Sequence, residues 1–436
     1  MKPTPPSAPS PAGGVPSATP EVRRLLPMVF LATLFIRFGF GITVSIFAFY
    51  LSAGQSNSVA TVGLAAAASP LIEMSTVLWS GLAADNVGRF PVLRAGLALG
   101  AVLLVLMATN RDVWVQALLS GLFGLSSGAI LASSLAIIGD ATPAQERGAE
   151  MGVFDAVNLF GWILGFSVGY IFVSLLDASG LHPERLAPTF LVGAVAVTVA
   201  LLLVLLRARG IVERRGSHFF DLSRFRAAVL DPDILLVVLP WATIYMLLGA
   251  LFTFLGTAAT SKQIGLHPWE LGVAVAVGGS LLLFTQPLYG RMADRRGRAP
   301  LMGVGIAGFL GILLFGSIIA WNNGLSPTYI GYPAVAGLGV SALAALAFGP
   351  SSLAALADLS KKISRGTTMG LYTLMIAAGM FVGISLSSGL FTWLGNRGIV
   401  LFFALIAAFL VTLTWLRLSR ARRAARAAHP PALAPP

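Results

Sequence analysis

The chain has 436 residues, of which 56% are hydrophobic and only 11% are Asp, Glu, Lys or Arg, with a mean hydropathy of +0.85. A soluble domain carries about 25% charged residues, so a water-soluble enzyme is excluded and most of this chain must face lipid. There is no cysteine, which removes thiolate catalysis, thiolate-held zinc, iron–sulfur clusters and disulfides together, and a formal net charge of +12 needs an origin.

In chain order, residues 1–26 begin with a stretch rich in Pro, Ser and Ala and are expected to form a disordered tail. A hydrocarbon core about 30 Å thick asks for about 20 apolar residues per spanning helix. Twelve runs meet that demand, at about 27–51, 59–83, 91–109, 113–138, 150–176, 188–206, 234–258, 269–289, 300–321, 328–356, 367–393 and 398–418. Stretches such as Val192 to Leu206 do not alternate as the strands of a membrane barrel would. No cleavable signal peptide is expected, because the first apolar run is long enough to span. The expected architecture is an all-α polytopic membrane protein. An N-terminal six-helix bundle fills 27–206, a linker 207–233, a C-terminal six-helix bundle 234–418, and a basic, Pro-rich tail 419–436.

Lys and Arg set the orientation through the positive-inside rule. Of 29 such residues, 24 fall on the tails and connections of one side; Arg111, Arg185, Lys262 and Arg397 fall on the other, and Arg37 lies within span one. Both termini are therefore expected in the cytoplasm, in a prokaryotic plasma or inner membrane. The positive charge is a topology signal, so nucleic acid is not an expected partner, and the basic tail reads as an anchor to lipid headgroups. The four histidines lie on scattered connections and a tail, giving no metal cluster, and no cofactor is implied.

The connection after span two reads GLAADNVGRFPVL, and the one after span eight reads GRMADRRGRAPLM. Gly81, Asp85, Gly88 and Arg89 recur as Gly290, Asp294, Gly297 and Arg298 at an offset of 209. A second match, at offset 218, pairs Asp140, Arg147, Gly161 and Gly165 with Asp358, Arg365, Gly379 and Gly383. The chain is thus a duplicated half, as in transporters that rock around a central site. Gly81 and Gly88 would allow a sharp turn and a close helix approach. Arg89 has a partner in Asp140, and by the repeat Arg298 would pair with Asp358. Asp85 would face the start of span eleven near Thr367, where amide groups favour an anion, and Asp294 the start of span five near Gly148.

The doubled connection resembles the motif that major facilitator superfamily transporters carry between their second and third helices. Gly161, Gly165 and Gly169 in span five are similar to the glycine-rich motif of the drug/proton antiporters in that family. Phe166 stands where those antiporters have proline, Tyr170 where they have their last glycine, and Ser120 where they have a span-four arginine. The resemblance implies that spans one, four, seven and ten line a central cavity, that spans two, five, eight and eleven join the halves, and that the gate residues hold the cytoplasmic side closed.

Ionisable groups at bilayer depth cost on the order of 2.5–3.5 kcal/mol on insertion scales and call for a cavity or a partner. Arg37 and Glu73 lie at matching depths, roughly 15 Å from the cytoplasmic edge at 1.5 Å per residue, and Asp155 lies shallower with Asn158 near it. Glu73 reads either as a proton site, where Arg37 or a cationic substrate competes with the proton, or as half of a static pair with Arg37. Asp155 reads as a proton or substrate group or as a hydrated one, and Arg37 could hold a substrate anion. Away from their ends, where Glu270 and Arg417 lie, spans seven to twelve contain no Asp, Glu, Lys, Arg or His; Trp241, Tyr245 and Phe252 of span seven, Gln286 of span eight, and Phe348 and Ser351 of span ten are the candidate cavity groups.

Together these readings give a secondary transporter, expected to work as a monomer, that couples protons to export of hydrophobic or amphiphilic small molecules. A lipid or lysolipid translocator, an importer of small organic anions and a non-transporting scaffold or sensor are the alternatives.

Overall fold

The computed structural model describes residues 23–52, 58–142, 147–176, 182–208, 231–259, 267–321, 331–352 and 365–428. The tails beyond these limits, most of the linker and Asp358 lie outside the described residues. Twelve long helices are described: α1 (Leu26–Ser52), α2 (Val59–Val87), α3 (Arg89–Thr109), α4 (Val113–Ala141), α5 (Arg147–Leu176), α6 (Ala187–Arg207), α7 (Pro232–Ala259), α8 (Pro268–Arg296), α9 (Arg298–Trp321), α10 (Gly331–Ala345), α11 (Arg365–Leu394) and α12 (Asn396–Ala428). Eleven are long and apolar enough to cross a bilayer, α10 by running on through a turn to Ser352; the apolar stretch of α7 is the shorter Val238–Leu251.

Local chemistry sets where these helices begin and end. Ser58 caps α2 by accepting from Thr61 N, and Asp112 caps α4 by accepting from Trp114 N and Val115 N. At α8 the carboxylate of Glu270 accepts from His267 N at 2.9 Å, half of a capping box. Between α2 and α3 the whole connection is Gly88, at φ +118°, and between α8 and α9 it is Gly297, at φ +90°. Only glycine takes that backbone conformation without strain, so the two recurring glycines break one long helix into two at the same place in each half.

The duplication is visible in the packing. In the first half α5 lies on α1: a Cβ at Gly161 would meet Leu34 O and the Cβ of Arg37, and one at Gly165 would meet Phe38 O. In the second half α11 lies on α7 in the same way, with Gly379 against Ala242 O and the Cβ of Tyr245, and Gly383 against Met246 O. Tyr245 therefore occupies the place of Arg37. The first six helices share a continuous core that includes Val29, Ile36, Phe40, Leu93, Phe123 and Phe190. The second six have smaller clusters, around Trp241, Met302 and Phe348 and around Leu247, Leu313 and Phe402. The halves meet where α2 packs on α11, α5 on α8 and α1 on α7. At the α5–α8 seam Trp269 N donates to Ser174 Oγ at 2.8 Å, and Gly272 approaches Ser167 O.

Candidate functional site

Arg37 of α1 and Glu73 of α2 are 4% and 6% exposed, in the middle of their helices. Arg37 Nη2 donates to Glu73 Oε1 at 3.5 Å, Nη1 to Ser127 Oγ of α4 at 3.1 Å, and Nε to Asn158 Oδ1 of α5 at 2.7 Å. Ser127 Oγ in turn donates to Glu73 Oε1 at 3.3 Å. The guanidinium carbon stands 5.7 Å from the centroid of Phe40 and 5.5 Å from that of Trp162, rings that stack on each other at 5.2 Å. Such distances give cation–π attraction, strengthened where water is excluded. Four helices thus converge on one guanidinium. Gly124 and Gly128 bring α4 against Ser69 and Glu73 of α2, and Gly161 brings α5 against Arg37.

The distances rank the partners. Charge-assisted N–H···O bonds lie at about 2.7–2.9 Å, which the Asn158 contact meets and the Glu73 contact exceeds. Arg37 is clamped by an amide and two rings, while Glu73 is held loosely, through one oxygen.

One helical turn away a narrow cleft lies between the halves, with room in this conformation for little more than one water. Its wall is built from Phe40, Thr43, Val44 and Phe47 of α1, Ala66, Ser69 and Pro70 of α2, Ser120 and Phe123 of α4, Thr253 of α7, and Met380 and Ile384 of α11. None of the described residues that line it is charged. Phe40 belongs to both places, with one ring against Arg37 and bordering the cleft.

The remaining candidates fall elsewhere. Arg89 Nε lies 2.8 Å from Asp140 Oδ2, in a partly exposed pair that joins the start of α3 to the end of α4. Both residues belong to the first half, so this pair fixes the α2–α3 turn and does not itself cross between halves. At Gly81 a Cβ would meet nothing within 4 Å among the described residues; the turn itself comes seven residues later, at Gly88. At Gly290 the described neighbour is Pro350 Cβ, at 4.0 Å. Gly297 makes the equivalent turn, and Arg298 follows it at the start of α9.

Trp241, Tyr245 and Phe348 come together, Trp241 stacking on Tyr245 at 5.9 Å and meeting Phe348 edge-on at 5.5 Å. They do so in the core of the second half, not in the cleft wall. Ser351 is fully buried there, its Oγ donating to Ala347 O of its own helix at 2.7 Å. The side-chain positions of Asp85, Arg147, Asp155, Phe252, Gln286, Asp294 and Arg365 lie outside the described residues. Among the described residues no group of three or more His, Cys, Asp or Glu could hold a metal ion.

Sequence reasoning missed Ser127, Phe40 and Trp162. Ser127 belongs to a span unusually rich in serine, and Trp162 follows Asn158 by one helical turn, which is the signal that would have found it.

A curated relative, the "Proton-coupled antiporter flippase LtaA" of Staphylococcus haemolyticus (strain JCSC1435), is 27% identical over 65% of this chain and 68% of its own length. The "Quinolone resistance protein NorA" of Staphylococcus aureus (strain MRSA252) is 23% identical over 55% of this chain, which spans only 60% of that relative. Among solved structures, a POT family transporter in complex with 5-aminolevulinic acid superposes with a TM-score of 0.70 at 13% identity, over 90% of this chain and 95% of that one. The human organic anion transporter MFSD10 (TETRAN) gives 0.63 at 18% identity, over 90% and 99%. At these identities the structures establish a shared fold and no more. The sequence profile described as "Major Facilitator Superfamily" matches residues 29–349 and again 242–435, so both halves of the duplication are covered. With its membrane-length helices and doubled six-helix scaffold, the chain is a multi-pass membrane transporter that belongs to the Major Facilitator Superfamily.

Proposed function

We propose that the chain exports hydrophobic or amphiphilic small molecules against protons by alternating access, with Glu73 as the proton-carrying group and Arg37 as its counter-charge. The observation that carries this reading is the buried Arg37–Glu73 contact, with Arg37 clamped and Glu73 loose, beside a cleft that lies between the halves. A carboxylate that takes a proton gives up its charge and its hold on Arg37, which stays on Asn158, Ser127 and the two rings. Release of the proton restores the pair. Phe40 connects the two events, because it contacts the guanidinium and borders the cleft. The likeness to a relative named as a proton-coupled antiporter supports the same reading.

Asp155 would serve as a shallower proton or substrate group on the path to the cytoplasm, where both termini lie in this reading. Asp85 and Asp294, presented by the glycine turns, would tie the halves together when that side is closed, with Arg89–Asp140 holding one turn in place. A second reading, translocation of a lipid-like amphiphile, draws on the relative named as a flippase and on the apolar cleft wall.

Proteoliposomes carrying the full chain and an internal pH dye test the proposal. Candidate amphiphiles that exchange across the membrane are expected to drive a pH change; exchange with no pH change would remove proton coupling and leave transport. A lysolipid that exchanges where drug-like dyes do not would favour the second reading.

A further inference from the structure

Ser69 Oγ of α2 and Thr253 Oγ1 of α7 are buried and line the cleft, and neither has a hydrogen-bond partner among the described residues. The two residues are 5% and 4% exposed. A buried hydroxyl normally finds a partner, most often the carbonyl one turn back in its own helix, as Thr43, Ser351 and Ser167 do here. These two do not, and they stand on opposite halves of the molecule. A third polar group lies beside them: Pro70 has no N–H, so the carbonyl of Ala66 loses its usual helical donor, and both residues line the cleft.

Among the described residues of the lining, no counter-charge is available to a charged ligand. The described lining residues are uncharged, and the nearby Glu73 is engaged by Arg37 and Ser127. A cation or anion entering the cleft would shed its water with nothing to replace it, whereas an uncharged N–H or O–H would meet waiting oxygens. Resting on the reading of the cleft as the substrate site, we propose that it takes uncharged amphiphiles with an apolar, ring-bearing body and one hydrogen-bonding N–H or O–H. Ser69 of the first half and Thr253 of the second bind that group together. The ligand thereby bridges the two bodies that must move during transport.

The probe is N-phenyl-1-naphthylamine, a neutral fluorophore with one N–H, compared with its 8-sulfonate, which has the same rings and a permanent negative charge, and with the tetraphenylphosphonium cation. Binding of each to the full chain in lipid nanodiscs is read by fluorescence titration and competition, against empty nanodiscs. The neutral amine is expected to bind saturably, and the two ions to compete at least about tenfold more weakly. Thr253→Val and Ser69→Ala should each weaken the amine about threefold to tenfold, the range for one lost hydrogen bond. Ser75→Ala, which changes an exposed hydroxyl bonded to its own helix away from the cleft, should leave binding unchanged. Saturable binding that ignores both hydroxyl deletions, ions that bind as well as the amine, or no binding above empty nanodiscs would each overturn the proposal. Because no proton gradient is present, the outcome is independent of proton coupling: amine binding can survive the loss of proton flux, and the reverse.

Discussion

Arg37 and Tyr245 stand at equivalent places in the two six-helix halves, each beneath a glycine of the helix packed across it. Following the same offsets, Asn158 corresponds to Ile376, Trp162 to Met380 and Glu73 to Leu282. Every polar member of the Arg37 cluster that the repeat can map has an apolar counterpart. The apolar side is not idle: Tyr245, Ile376 and Met380 pack against the core of the first half, and Met380 also lines the cleft. Duplication preserved the backbone, with its two glycine turns and its tight α1–α5 and α7–α11 crossings, while the chemistry became one-sided. Among the described residues the buried charges lie in one half, and the other adds apolar side chains and a hydroxyl to the cleft wall.

The largest test of that asymmetry is stability. Arg37→Met leaves Glu73 without its counter-charge and should destabilise the protein by about 3–5 kcal/mol, read by thermal or denaturant unfolding in detergent. Replacing both members together, as Arg37→Met with Glu73→Met, should recover most of that loss, since an apolar pair of similar volume has no charge to bury. Tyr245→Met at the mirrored place should cost less than about 1.5 kcal/mol. Similar losses at Arg37 and Tyr245 would break the comparison.

The shared scaffold predicts symmetry where the chemistry predicts contrast. Gly165→Val and Gly383→Val push a side chain into the backbone of the facing helix, and each should cost about 1–3 kcal/mol, the two values agreeing between halves. The smallest effect is expected at the turn. The Arg89–Asp140 pair is partly exposed and worth about 0.2–1 kcal/mol. Arg89→Gln should then shift the ratio of the two access states by no more than about fivefold, measured by the accessibility of reporter labels on either side. A larger shift would mean that the pair carries more than the placement of one turn.

Much of this was legible in the sequence because membrane physics narrows the options. Length and apolarity mark the helices, and the recurring Gly88 and Gly297 fall where only glycine fits. A rise of 1.5 Å per residue is enough to put Arg37 and Glu73 at one depth. What the sequence could not supply is rotation. Whether Phe348 turns to a cavity or to its own bundle depends on how α7, α9 and α10 nest, and it turns inward with Trp241. Ser351 reads as a cavity hydroxyl in the sequence and instead bonds its own helix. The cleft wall draws on five helices from both halves, so no local pattern announces it, and Ser69 and Thr253 are distinguished only by partners they lack.

In the proposed cycle Glu73 carries the coupling proton. Glu73→Gln keeps the shape and can still accept from Arg37 and Ser127, but it cannot gain or lose a proton across the physiological pH range. Reconstituted with a pH dye inside the vesicles, this variant is predicted to lose substrate-driven proton movement while still exchanging substrate down its own gradient. Proton movement at the wild-type rate would contradict the account and reduce Arg37 and Glu73 to a structural pair.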